Sequence, residues 1–201
     1  MTDRTLLIGC GHFRDKRIEP RQFVEGVKVT PNERGAWRGQ LETLDYESPC
    51  EPDITWDLNR VPWSRLVGDD LEPDRAVPLA ESSYDEVHAY EVLEHLGRQG
   101  DYRSFFAVFE EVWRVLKPDG FLCATCPSRY DEWMWGDPGH TRAVLPCTLV
   151  FLSRKAYRDQ HGRTTMSDYR RVYRGDFDVL YSFDNHKTHM FVLRAVKPAR
   201  D

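Results

Sequence analysis

Long apolar runs are missing from this chain of 201 residues. Nowhere do apolar residues approach the roughly 18–20 in succession that a membrane span needs, and Met1–Arg4 lead straight into Thr5–Gly9 without a separate apolar leader. The sequence therefore predicts a cytoplasmic protein with no membrane partner. Cysteine is scarce and odd in number, five in all, which provides no obvious secreted disulfide framework. Cys123 and Cys126 form a C-x-x-C, but Cys10, Cys50 and Cys147 stand far from it and no second pair completes a structural zinc set, so no metal is expected. Internal repeats, low-complexity tracts and linkers are also lacking. We expect one domain over residues 1–201, with a first part at 1–126 and a loop and C-terminal hairpin at 127–201.

Aromatic residues are plentiful, with six Trp, nine Tyr and ten Phe to fill a core. Basic residues are outnumbered 28 to 33, but unevenly. Residues 1–150 hold 17 Lys and Arg against 27 Asp and Glu, whereas residues 151–201 hold 11 against 6. An acidic body argues against broad binding to nucleic acid, and the basic last quarter leaves room for an anionic substrate at one edge.

Thr5–Gly9 (TLLIG) reads as a central strand buried on both faces of a parallel sheet, broken at Gly9-Cys10-Gly11. The next thirty residues show no convincing helical stripe beyond a turn or two at Gln22–Val29. Gln40–Asp45 reads as a second strand, Asp53–Trp56 as a short third ending at Asp57, and Tyr84–Tyr90 as a fourth. From Tyr102 to Leu116 apolar residues recur at intervals of three and four, a helix capped by Asp101 and stopped by Lys117-Pro118-Asp119-Gly120. Phe121–Thr125 is a fifth strand, whose alternation would send positions 123 and 126 to opposite faces. Pro127–Leu145 is a long loop holding Trp133 and Trp135, and Asp178–Phe183 with His189–Val196 form a closing antiparallel hairpin. Strands alternating with helices before a terminal hairpin make an α/β fold, mostly parallel with an antiparallel edge.

Ligands of such sheets bind beyond the carboxyl ends of the strands, so each strand-terminal residue is a candidate. Gly9 and Gly11 would let the backbone turn sharply and approach a ligand closely. Asp45 can accept hydrogen bonds from both hydroxyls of a ribose, and Asp57 one from an adenine amino group, with Leu58 packed on the base.

Three blocks then occur in order: Tyr84-Asp85-Glu86-Val87, Glu91-Val92-Leu93-Glu94-His95, and Arg114-Val115-Leu116-Lys117-Pro118-Asp119-Gly120. Together they resemble the class I S-adenosylmethionine-dependent methyltransferase family over roughly residues 5–126. The resemblance implies a Rossmann-like, seven-stranded sheet with a reversed final hairpin, and S-adenosylmethionine as cofactor. It also implies a cofactor site of Gly9, Cys10 and Gly11 at the methionine part, Asp45 and Tyr46 at the ribose, Asp57 and Leu58 at the adenine, and Tyr90 and Glu91 at the methyl donor. Glu94 and His95 would orient the neighbouring turn or loop. Phe13 departs from the family pattern, standing where a third glycine is common, and little precedes the first strand.

A nicotinamide-binding protein is disfavoured, because Arg14 occupies the third glycine of G-x-G-x-x-G and Asp45 comes too late. Tyr90-Glu91-Val92 replaces the Pro-Pro-aromatic motif of DNA amino-methyltransferases, and the chain leaves little room for a base-flipping recognition region, so no duplex DNA base recognition is expected. Methyl transfer requires mainly placement. A general base is needed only for a hydroxyl or protonated amine, and His140, with Arg142 beside it, is the candidate to reach the acceptor. A small-molecule or nucleotide acceptor is the leading expectation. A macromolecular acceptor and a noncatalytic domain are the alternatives, and oligomeric state is left open. The loop from Ser128 to Arg142 is expected to form a mobile lid over the methyl-donor end.

Overall fold

The computed structural model describes residues 2–24, 36–46, 48–66 and 76–201. The first apolar run forms β1 (Arg4–Ile8), in which residues 5–8 are all buried, as a strand covered on both faces must be. The four-residue helix α1 (Arg21–Val24) follows, and the rest of the turn expected at Gln22–Val29 lies outside the described residues. β2 (Gln40–Asp45) and the two-residue β3 (Ile54–Thr55) then stack in parallel to one side of β1. β4 (Ser64–Leu66) and β5 (Ala76–Pro78) form a separate antiparallel pair. The chain returns as β6 (Tyr84–Tyr90) on the opposite side of β1, again in parallel. With β2 and β6 flanking β1, the strand order reverses there and a crevice opens at the carboxyl ends.

Asp101 caps α2 (Tyr102–Val115), its carboxylate accepting from the amides of Arg103 and Ser104 at 3.1 and 3.2 Å, a cap worth about 1 kcal/mol. Phe105, Phe106, Phe109, Val112 and Val115 form the buried face of this helix. The expected stop at Lys117–Gly120 is built differently: β7 (Leu116–Pro127) already begins at Leu116, opposite Tyr84. Asp119 turns through a positive φ of 61°, and regular pairing with β6 resumes at Phe121. Two short helices follow, α3 (Glu132–Gly136) in the long loop and α4 (Arg154–Gln160) after a 3-10 stretch at Pro146–Leu152. The sequence reading contained neither. β8 (Phe177–Asp184) and β9 (Thr188–Ala195) close the sheet, β9 running antiparallel to both β7 and β8. The order β3-β2-β1-β6-β7-β9-β8 is the seven-stranded, Rossmann-like α/β arrangement that the resemblance implies. No helix among the described residues is long and apolar enough to cross a membrane.

Side chains of β6 divide cleanly between the two faces. Val87 and Ala89 join the larger core under α2, and Cys126 lies in the same core. Tyr90 and Cys123 belong to a second cluster on the other face with Leu7, Cys10 and Ile18. Cys123 and Cys126 thus lie on opposite faces, and burial pushes both thiols well above the usual range. On the second face a fully buried polar chain runs along β6. The ammonium of Lys16 sits 2.8 Å from Glu86 and 3.1 Å from Glu19, and Glu86 accepts from His88 Nε2 at 2.8 Å. His88 Nδ1 accepts from the Tyr90 hydroxyl, which accepts in turn from the amides of Arg17 and Ile18. Burial, only partly offset by Glu86, pushes His88 down, so it is a neutral link in this chain. The segment after the glycine turn is thereby tied to the underside of the sheet.

Burial alone would raise the Glu86 carboxyl, but His88 and Lys16 bring it down from 4.5 to about 2. Its contribution to stability is therefore complete above about pH 4.5 and is lost as pH falls towards 2. Replacing Lys16 by Met strands the buried carboxylate and should cost about 3–5 kcal/mol in urea unfolding at pH 7. The deficit should shrink below about pH 4.5, as Glu86 takes up a proton. A variant as stable as the parent at pH 7 would show that the ion pair does not hold this segment.

Candidate functional site

At the carboxyl ends of β1, β2 and β6 lies a cleft of about 680 Å³. Its floor begins where the chain leaves β1. Gly9 has φ +59°, and a Cβ there would meet Val92 Cγ2 at 2.2 Å, so any other residue would clash as well as strain the backbone. Gly11, at φ +48°, has open space where its Cβ would be, and its amide donates to Asp45 Oδ2 at 2.9 Å. Phe13 is 70% exposed, and its amide closes the turn on the Cys10 carbonyl, so no third glycine is required.

Seven of the nine residues expected at a cofactor line this cleft: Gly9, Gly11, Asp45, Tyr46, Asp57, Leu58 and Glu91. Asp57 holds its own loop by accepting from the amide and side chain of Asn59. The other two turn away. Cys10 sits in the second core cluster with its thiol raised to about 11, chiefly by burial. Tyr90 is the brace described above, its ring beneath the sheet rather than beside a ligand. Alternation along β6 carries that signal, since Glu86, His88 and Tyr90 share one face. Asn59, His95 and Gly139 also line the cleft. Asn59 was not read from the sequence; its Oδ1 accepts from the Gly97 amide at 2.8 Å and joins two rim loops.

Glu91 follows the last residue of β6 and is held at φ +54°, a left-handed conformation costly for a side chain with Cβ. Its amide donates to the Thr125 carbonyl, which fixes the kink. Partial loss of solvent pushes its carboxyl upward, a shift opposed by Thr125 and by the charge of Arg17. Glu94, in the 3-10 turn Leu93–His95, is completely buried, and neither carboxylate oxygen has a hydrogen-bond partner. Burial, with the field of Glu91 adding to it, drives this carboxyl up to about 8. Its main-chain carbonyl accepts from the amides of Thr141 and Arg142, while His95 Nδ1 donates to the Gly139 carbonyl at 3.0 Å.

That stitching brings His140 beside the cleft, its ring edge-on to His95 with centroids 4.8 Å apart. Arg142 does not reach an acceptor position. Its guanidinium is spent on the carbonyls of Arg98 and Asp101 and on Ser104 Oγ, locking the loop to the start of α2. Trp133 and Trp135 are 65% and 69% exposed, so neither packs as rings of that size usually do. Trp135 borders a neighbouring aromatic cleft of about 490 Å³ with Tyr102, Phe105 and Tyr169, not the cleft of the glycine turn.

Residues 55–124, running from the end of β3 into β7, match the family model described as a methyltransferase domain. A search of curated proteins returns no match. Among solved structures, the chain is similar to a SAM-dependent methyltransferase from Archaeoglobus fulgidus at 15% identity and TM-score 0.47, covering 96% of this chain and 86% of that one. It is also similar to the N-methyltransferase NodS of Bradyrhizobium japonicum, in complex with S-adenosyl-L-homocysteine, at 12% identity and TM-score 0.48, covering 96% and 78%. A 16S rRNA (adenine(1408)-N(1))-methyltransferase variant from Catenulisporales acidiphilia is similar at 14% identity and TM-score 0.46, covering 99% and 87%. The methyltransferase-domain match includes Asp57, Leu58, Glu91, Glu94 and His95, and it ends before the loop that carries His140.

Because Glu91 is bent against its conformational preference, Glu91→Gly should raise the urea midpoint, by about 1 kcal/mol in unfolding free energy. A midpoint that stays level or falls would show that contacts of the Glu91 side chain outweigh the strain.

Proposed function

We propose that this chain is a methyltransferase that takes S-adenosylmethionine in the cleft and passes its methyl group to a small-molecule or nucleotide acceptor. One observation carries the reading: a left-handed glycine turn whose amide is bonded to the carboxylate ending the next strand, within a cleft large enough for a nucleoside. The residues present fit that cofactor. The open space over Gly11 would admit its amino-acid end, Asp45 would accept from the ribose hydroxyls, and Asp57 and Leu58 would flank the adenine. S-adenosylmethionine supplies a methyl group on a sulfonium, already activated for transfer. Glu91 would set a negative charge beside that cation. What remains for the protein is to hold the acceptor in line and keep water out.

On this reading residues 1–126 serve the cofactor, and the loop and hairpin at 127–201 serve the acceptor. His140 stands where the two meet and is the residue we assign to the acceptor's proton. Calorimetry with S-adenosylhomocysteine tests the reading. Binding should be stoichiometric, and Asp45→Ala should weaken it by about 1.5–3 kcal/mol, the scale of charge-assisted hydrogen bonds. Unchanged affinity in that variant would remove the ribose assignment, and no binding to the parent chain would remove the function.

A further inference from the structure

We propose that Glu94, His95 and His140 bind one divalent transition-metal cation at the rim of the cleft. One donor atom from each of the three lies within 4.8 Å of the others. Bonds of about 2.0–2.2 Å to a shared ion would set tetrahedral donors roughly 3.3 Å apart, so modest side-chain adjustment closes the set.

Two independent observations point to a ligand here. Glu94 is completely buried, yet no nitrogen or oxygen donor reaches either of its oxygens and only the weakly donating Cys126 thiol stands beside it, and Nδ1 of His140 is likewise buried and unpartnered. Such groups are costly to bury unsatisfied, and a cation would satisfy both at once. The outer contacts suit the same role. His95 spends Nδ1–H on the Gly139 carbonyl, which leaves the lone pair on Nε2. Nε2 of His140 faces Asp137 at 3.9 Å, which leaves Nδ1 as its donor. A carbonyl or carboxylate behind each imidazole is the usual support of a ligating histidine.

Two imidazoles and one carboxylate favour zinc, manganese, cobalt or iron(II) over the all-oxygen preference of magnesium and calcium. Three protein donors leave coordination positions open. His95, Glu91 and Gly139 line the cleft, so those positions face it. An acceptor hydroxyl would be a natural ligand there, and His140 would then act on its proton through the ion, which makes the hydroxyl more acidic, rather than as a free base. That last clause rests on the methyl-transfer reading, whereas the site itself does not. The site has no local sequence signal, because His140 lies far along the chain from Glu94 and His95 and only folding brings the three together.

The test uses the full chain stripped of metal with a chelator. Zinc or manganese added in a calorimeter should bind with a stoichiometry of one, and cobalt(II) should develop the visible absorption of a protein-bound ion. His140→Ala and Glu94→Gln should each weaken binding at least tenfold. Should Glu94→Gln fail to fold, His140→Ala, on the surface loop, decides the matter alone. Asp45→Ala should bind S-adenosylhomocysteine more weakly, as above, and keep the cation undiminished, which separates failure of the metal site from failure of the cofactor assignment. No stoichiometric binding of zinc, manganese or cobalt, or undiminished binding in a folded His140→Ala variant, overturns the proposal.

Discussion

The 2.9 Å hydrogen bond from the Gly11 amide to Asp45 is the contact around which the cleft is arranged. It exists because the chain can leave β1 through a left-handed turn, which Gly9 alone permits against the side chain of Val92. The turn brings an amide across to the end of the neighbouring strand, and so the loops after β1 and β2 become one wall. The opposite wall comes from β6, whose exit is bent at Glu91. Two departures from ordinary backbone geometry, one free for glycine and one costly for glutamate, thus stand side by side where β1 and β6 open into the cleft. Strain of this kind gathers where a chain serves something besides its own packing.

Beneath that cleft, β6 carries two unrelated tasks on alternate residues. Val87 and Ala89 supply packing under α2, while Glu86, His88 and Tyr90 carry polar bonds to the segment around Lys16. The polar row stands in for a hydrophobic underside at this point. It also gives the segment after the glycine turn one definite position, because Lys16, Arg17 and Ile18 all bond to acceptors in the row. The loop that frames the cleft is therefore positioned from below rather than by contacts within itself.

Much of the architecture was legible because its signals are local. TLLIG, the alternation in the hairpin and the three-and-four spacing after Asp101 each name an element without help from elsewhere. The cofactor wall was legible for a related reason, since residues ending strands must lie together once the strands do. What escaped were properties that only folding brings about. Arg142 looked available until its donors proved to be occupied by carbonyls from residues 98 and 101. Tyr90 was read from its place at a strand end, when its parity along the strand put it underneath. Trp133 and Trp135 were judged by size, although they flank Met134, and it is Met134 that a one-and-a-half-turn helix buries. The helices between Pro146 and Gln160 are too short for a periodicity to declare itself.

The segment carrying those tryptophans is fastened at both ends. Ser128 bonds through its amide to the Lys187 carbonyl of the hairpin, and Thr141 and Arg142 both bond to the carbonyl of Glu94. Between these two feet the chain makes a hoop whose crown is α3. With Met134 buried beneath α3, the hoop is a strut that couples the sheet's antiparallel edge to the rim of the cleft, and it holds two indoles out to solvent.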